Sequence, residues 1–233
     1  MKNVLITAGG TTEYIDTVRK ITNSGSGKLG AIVADMLRNV HIYYVHSKGA
    51  VLPSKRDNIE FFEVVSTEDV KNTMKDLLTN FHIDWVIHSM AISDYTVDYV
   101  TNANMLAEYL TKYGCKEENI IKNRNIFDRN EKISSSEPNI LIKLKPTAKI
   151  ISLIKDWSPE THLIGFKLLS GVSEEELIEV ATNLKIKNKC DYVIANDLNN
   201  INSNMHKAIV IGENINRVNT KEEIAEVISR IIV

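Results

Sequence analysis

Residues 3–10 read NVLITAGG, a short apolar, β-favouring run closed by two glycines. That is the pattern of a buried strand ending in a tight turn. A helical stripe follows in 28–38, where Leu29, Ile32, Val33, Met36 and Leu37 share one face. Residues 41–46 (HIYYVH) and 59–65 (IEFFEVV) are strand-like. Thr67 is placed to cap a helix over Glu68–Leu78, with Val70, Met74, Leu77 and Leu78 at helical spacing. Residues 84–92 (DWVIHSMAI) read as another strand. Further on come a strand at 139–144, a helix at 147–156 and a strand at 162–169. A helix opened by the capping box Ser173/Glu176 runs to Lys187, and 191–195 (DYVIA) is a strand. A hairpin around Gly212-Glu213-Asn214 and a helix capped by Thr220 with Glu223 end the chain. Alternation of this kind predicts an α/β fold, a Rossmann-like, mostly parallel sheet with helices on both faces. The whole of 1–233 reads as a single domain. Residues 96–131 are polar and rich in Asn and Lys, and read as an insertion or flap, disordered in part.

The composition is that of a soluble globular protein: 233 residues, 43% hydrophobic, 25% charged. The 28 basic residues are offset by 30 acidic ones with no block of one sign, so no nucleic-acid partner is expected. Cys115 and Cys190 stand alone, which leaves neither a disulfide framework nor a Cys-x-x-Cys pair. No apolar run reaches the roughly 20 residues that span a bilayer, and the start resembles no signal peptide. No membrane partner is expected, and the chain reads as cytoplasmic.

In parallel sheets ligands bind beyond the carboxyl ends of the strands. Gly9-Gly10-Thr11, Ser89–Asp94, Phe166 and Asn196-Asp197 all fall at or near such ends and are expected to converge. Residues 22–30, TNSGSGKLG, open the first helix, and Gly25, Gly27 and Gly30 satisfy GxGxxG. Amides at a helix start, with Lys28 and nearby hydroxyls, suit a phosphate, although a flexible turn with a helix cap has the same pattern. A Walker A loop is excluded, because its glycine and hydroxyl positions hold Thr22 and Leu29. A dinucleotide fingerprint should follow its strand at once, whereas Gly25 comes well after Ala8. Two phosphate-capable turns suggest a nucleoside triphosphate, or a nucleotide with a phosphorylated substrate. Tyr44 and Lys48 match the YxxxK pair of short-chain reductases, but that pair needs a helix and here ends a strand. A nicotinamide-dependent reductase and a non-catalytic nucleotide-binding module are the competing readings.

The stretch ITAGGTTEYIDTVRKITNSGSGKLG (6–30) resembles the signature of phosphopantothenate–cysteine ligases: Gly-Gly-Thr, Asp-x-Val-Arg, then Asn-x-x-Ser-Gly-x-x-Gly. SMAISDY (89–95), Glu131-Lys132-Ile133, Gly165-Phe166 and Ala195-Asn196-Asp197 resemble further family segments in the same order. Lacking the flavin decarboxylase domain found fused to many of these ligases, the chain looks like the free-standing bacterial form. The resemblance implies that a nucleoside triphosphate, CTP by expectation, activates the carboxylate of 4'-phosphopantothenate with loss of pyrophosphate. Cysteine then forms the amide. It implies Asn23 and Lys132 as catalytic residues. Arg19, Asn23, Met90, Ala91 and Asp94 would bind substrate, with Arg19 reaching across a homodimer interface. Gly9, Gly25, Gly27, Gly30, Ser89, Asp94, Lys132, Phe166, Lys187 and Asn196 would bind nucleotide. On residues alone Asn23 reads as a turn residue, Arg19 and Lys132 as solvated, Asp94 as a strand-end turn, and Phe166 as core. Mg²⁺ is expected on the nucleotide phosphates, with no protein metal ligands. Three departures stand out. Met90 replaces a usual alanine, and the span from Tyr95 to Lys132 is long. The family's nucleotide lysines are matched only by Lys185, Lys187 and Lys189, each offset by a residue or two.

Overall fold

β1 (Lys2–Ala8) occupies an interior position of the sheet because every residue from Val4 to Ala8 is buried, with successive side chains on opposite faces. The computed structural model describes residues 1–202 and 205–233. After β1 the chain forms β2 (Thr12–Tyr14), β3 (Lys20–Thr22), α1 (Lys28–Met36), β4 (Val40–Ser47), β5 (Ile59–Val64), α2 (Thr67–Asn80) and β6 (Trp85–His88). It continues with β7 (Tyr95–Asn102), α3 (Ala103–Tyr113), α4 (Glu117–Ile121), β8 (Ile140–Pro146), α5 (Ile150–Trp157), β9 (His162–Leu169) and α6 (Glu174–Lys187). β10 (Tyr192–Asp197), the hairpin β11 (Ala208–Ile211) and β12 (Ile215–Val218), and α7 (Lys221–Ile232) complete it.

The chain divides into two units, one of Met1–Thr11, Ser24–Ile92 and Lys149–Val233, the other of Thr12–Asn23 and Ser93–Ala148. The first holds an eight-stranded sheet in the order β12-β11-β10-β9-β6-β1-β4-β5. Its strands β10 to β5 run parallel, and β11 and β12 add antiparallel edges. Val4, Ile6 and Ala8 pack with Val33 and Ala34 of α1, with Leu37 directly after it, and with Ile224, Ile228 and Ile232 of α7. Leu5 and Val86 face the other layer, with Val70 and Met74 of α2, Ile154 of α5 and Leu177 of α6. Each buried Val, Leu, Ile or Met among these contributes about 1.5–3 kcal/mol. The strand order reverses between β1 and β6, which opens a crevice at their carboxyl ends. β6 stops at His88, four residues short of the sequence reading. There Ser89 Oγ donates to the Thr7 carbonyl (2.6 Å) and the Met90 N–H to Thr7 Oγ1 (3.2 Å). These bonds turn the chain out of the ladder towards that crevice.

The second unit adds two points to the sequence reading. Residues 96–131, read as an insertion or flap, hold α3, α4 and all of β7 but its first residue. The strand expected at 139–144 is β8, but it pairs antiparallel with β7 in its own two-stranded sheet, not with the parallel one. A small core of Val97, Val100 and Ile133 holds this unit together. α2 begins one residue earlier than expected. Ser66 is its cap, in a reciprocal box with Asp69, and Thr67 is the first helical residue.

Candidate functional site

The crevice of the first unit is a cavity of about 400 Å³, within the range of small-molecule sites. Gly9, the turn 24–27 and the first turn of α1 form one side. Gly9 has φ +95° and Gly27 φ +71°, conformations that favour glycine. A Cβ on Gly25 would lie 2.3 Å from the Gly9 carbonyl oxygen, so the two turns touch backbone to backbone. Gly27 is the N-cap of α1 and has no side chain to cap it, and the first turn of the helix holds no acidic residue. The first turn and the positive end of the helix dipole therefore lie at the cavity, where no carboxylate stands among the described lining residues. The Lys28 N–H makes only a long bond to Ser26 Oγ (3.4 Å). Gly30 serves packing as well: a Cβ there would come within 2.8 Å of Ala8 Cβ.

Ser89, Met90 and Ala91 follow β6 on the next wall, held by the Ala91 N–H to Gly9 carbonyl bond (2.9 Å) and the Thr11 N–H to Ala91 carbonyl bond (3.1 Å). Phe166, Lys167 and Leu168 of β9 and Asn196 of β10 complete the sheet side. Asn196 Nδ2 donates to the Lys207 carbonyl (2.7 Å), which leaves Oδ1 as the acceptor of this carboxamide. His206 and Lys221 close the far wall. Burial first, then the charge of Lys221, lowers the pKa of His206 and favours its neutral form. Lys28, Lys167 and Lys221 line the cavity, and among the described residues no carboxylate does. Cations, hydroxyls and helix amides beside an apolar wall suit a polyphosphate joined to a flat ring.

Most of the expected convergence occurs: Gly9, Ser89, Met90, Ala91, Phe166 and Asn196 meet at this cavity with Gly25, Gly27 and Gly30. Lys187 does not. It is exposed at the C-terminal end of α6, a crossover helix that returns to the amino edge of the sheet before β10. Asp197 also points elsewhere. Alternation along β10 sends it to the opposite face from Asn196, where it accepts from the N–H groups of Gly171 (3.0 Å), Val172 (3.2 Å) and Asn199 (2.9 Å). These bonds hold its carboxyl below the usual range, the Asn199 amide acting most strongly. Lys167 and Lys221 escaped the sequence reading. Lys167 follows Phe166 at the carboxyl end of a strand, so the strand-end rule could have found it. Nothing in the local sequence marks Lys221, which reaches the cavity through the long-range placement of α7. Tyr44 of the reductase pattern is fully buried beside Gly30, and Lys48 is exposed. The two do not form a pair.

Four expected residues lie in the second unit: Arg19, Asn23, Asp94 and Lys132. β2 and β3 pair as a short hairpin, with Arg19 just before β3 and Asn23 just after it. Asp94 and Lys132 are exposed, and the Asp94 carbonyl accepts from the Thr147 N–H (3.0 Å). Arg19 is tightly held. Its Nη1 donates to Asp16 Oδ2 (3.1 Å) and Nη2 to the Ile133 carbonyl (3.0 Å), yet its side chain stays 37% exposed. Among the described residues no group of three His, Cys, Asp or Glu side chains could hold a metal, and no helix is long and apolar enough to cross a membrane.

The profile of the DNA/pantothenate metabolism flavoprotein C-terminal domain matches residues 1–113 and 122–233. The unmatched residues 114–121 cover α4 and the turn before it, inside the long span between Tyr95 and Lys132. The coenzyme A biosynthesis bifunctional protein CoaBC of Thermococcus kodakarensis is 32% identical over 230 residues, 97% of this chain and 49% of the relative. That of Methanocaldococcus jannaschii is 29% identical over 84% of this chain. The chain thus spans about half the length of the curated relatives it matches. The crystal structure of the DNA/pantothenate metabolism flavoprotein from Streptococcus pneumoniae superimposes with a TM-score of 0.87 at 38% identity, covering 100% of this chain and 98% of that one. A Cab2 variant in complex with phosphopantothenate–cysteine shares the fold, with a TM-score of 0.72 at 18% identity. By this match the chain belongs to the family of DNA/pantothenate metabolism flavoprotein C-terminal domains.

Proposed function

We propose that this chain is a phosphopantothenate–cysteine ligase that acts as a cytoplasmic homodimer and uses CTP and Mg²⁺. The observation that carries the reading is the cavity of the first unit. Three lysines, hydroxyls and an uncapped helix start surround it with no carboxylate among the described residues. The relatives' role in coenzyme A biosynthesis and the phosphopantothenate–cysteine bound to the Cab2 variant supply the substrate class.

The chemistry follows from the charges. A carboxylate is a poor acyl donor, so one of its oxygens attacks the α-phosphorus of the nucleotide and the bond to the β-phosphate breaks. Pyrophosphate leaves with the electron pair. The amine of cysteine then attacks the acyl carbon, the C–O bond to the nucleotide breaks, and the amine loses its proton as the amide forms. Negative charge builds first on phosphoryl oxygens and then on a tetrahedral oxyanion, so fixed donors and cations supply most of the rate. Lys28, Lys167 and Lys221 are assigned to the phosphates. Asn23, the chain neighbour of the cavity residue Ser24, is assigned to the acyl-nucleotide, because an amide donates without holding the intermediate by charge. Lys132 is assigned to the reacting phosphate. Arg19 takes the substrate phosphate of the partner protomer, with Met90, Ala91 and Asp94 along the pantothenate.

Among the described residues the wall offers hydroxyl and carboxamide oxygens but no acidic cage, which fits a Mg²⁺ carried on phosphates. Bound there, the ion would neutralise the triphosphate and ease pyrophosphate departure. The Oδ1 acceptor of Asn196 matches the exocyclic amino group of cytosine or adenine, and the resemblance to the free-standing bacterial ligases supports CTP over ATP. The test is pyrophosphate release measured with each component omitted in turn. Release should require nucleotide, phosphopantothenate and Mg²⁺, with amide formed only on adding cysteine. Release without phosphopantothenate would contradict the reading.

A further inference from the structure

Asp16 has no role in the scheme above, yet it is 1% exposed and its two carboxylate oxygens accept four hydrogen bonds. Oδ1 takes the backbone N–H groups of Val18 (2.8 Å) and Arg19 (2.7 Å), which fold the hairpin tip. Oδ2 takes Nη1 of Arg19 (3.1 Å) and the backbone N–H of Ile133 (3.2 Å). The Arg19 guanidinium closes the ring by donating to the Ile133 carbonyl (3.0 Å). Ile133 is itself buried against Val97 and Val100, and it directly follows Lys132. A second brace fixes the same tip: Arg129 donates to the carbonyls of Tyr14, Ile15 and Val97.

We infer that Asp16 is a positioning residue that sets the two phosphate-directed cations together. By gripping the Arg19 guanidinium and the Ile133 amide with one oxygen, it makes the hairpin tip and the Glu131–Ile133 strip a single rigid piece. The Arg19 guanidinium is then pre-oriented, and the backbone that carries Lys132 is fixed, before an anion arrives, so the cost of ordering the Arg19 side chain does not fall on binding. Three of the five guanidinium donors of Arg19 stay outside these two bonds and remain for a ligand. The inference rests on the assignment of Arg19 and Lys132 to phosphate groups.

Asp16→Asn separates the positioning role from simple folding of the tip. The new Oδ1 can keep the bonds to Val18 and Arg19, while Nδ2 opposes two donors, the Arg19 Nη1 and the Ile133 N–H. The first measurement uses the unmodified protein. Amide exchange should show Ile133 protected at least about tenfold over exposed Lys132 and Ser134, and Asp16→Asn should remove that protection. An Ile133 amide that exchanges like its neighbours in the unmodified protein refutes the role of Asp16 whatever the ligand is. The second is an NMR titration with phosphopantothenate. Asp16→Asn should raise Kd about tenfold in the otherwise native chain, and by less than twofold in the Arg19→Ala/Lys132→Ala background. An equal factor in both backgrounds means a general structural lesion and overturns the inference. An unmodified protein that does not bind phosphopantothenate refutes the functional assignment instead, and the exchange result still decides the link itself.

Discussion

Replacing Gly25 by alanine tests the cavity at its tightest point. The added Cβ would lie 2.3 Å from the Gly9 carbonyl oxygen and 2.7 Å from its carbon, with the Gly10 nitrogen at 3.2 Å. All three neighbours are backbone, so no side chain can swing away. Ordinary contact begins near 3.4 Å, and the two turns must therefore part by about 1 Å, a displacement on the scale that costs about 10²-fold when it falls on reacting groups. Overpacking of this kind costs about 1–3 kcal/mol of stability. The parting also moves the amides of residues 25–30 away from the phosphates, and losing one to two charge-assisted bonds weakens nucleotide binding by about 10- to 100-fold. Titration calorimetry with CTP and Mg²⁺, paired with thermal melts, reads both effects. Gly49→Ala is the control, since its Cβ would meet nothing within 4 Å, and it should leave both readings unchanged. A Gly25→Ala protein with native CTP affinity would refute the placement of the phosphates at this turn.

Other outcomes follow from the same geometry. Lys28→Ala, Lys167→Ala and Lys221→Ala should each weaken CTP binding about tenfold in calorimetry, whereas Lys187→Ala at the opposite edge should have no effect. Asn23→Ala should lower amide formation by about 10²-fold, as expected for one lost transition-state donor; near-native turnover would remove Asn23 from the site. Mixing inactive Arg19→Ala and Asn23→Ala chains should restore up to about a quarter of native activity, because random exchange gives heterodimers with one undamaged shared site. No restoration, with exchange confirmed by sedimentation, would place both residues in the same chain's site. Burial pushes His88 down to about 4, so the unfolded chain binds a proton that the folded one refuses. Stability should fall as pH drops from about 6.5 towards 4, by roughly 3 kcal/mol in total, and denaturant melts of His88→Asn should show a flatter slope in that window.

The parallel sheet could be read because its inner strands β1, β4, β6 and β10 are buried on both faces and appear as short apolar runs between helical stripes. The second unit was harder to see. β2 and β3 are three residues each and mostly polar, and β7 interleaves Thr, Asp and Asn with its apolar positions. β8 was visible as a strand, but its partner is decided by contacts with β7 that no local pattern encodes. At the site the glycine turns and strand ends were legible through backbone rules, and Lys167 could have been found by the same rule. Lys187 misled because spacing from Asp191 carries no information about which sheet edge a helix end occupies. Asp16 stood in plain view in the Asp-x-Val-Arg segment. Its link to Ile133, 117 residues away, exists only in the folded chain.

The central claim is that the substrate carboxylate attacks the α-phosphorus of a nucleotide held in this cavity. Phosphopantothenate labelled with ¹⁸O in its carboxylate, turned over with CTP, Mg²⁺ and cysteine, follows the atom that this step transfers. The scheme requires one ¹⁸O in the released CMP and none in the pyrophosphate, detected by mass spectrometry. Label in inorganic phosphate with CDP as coproduct, or an amide formed with no label passing to the nucleotide, would contradict it.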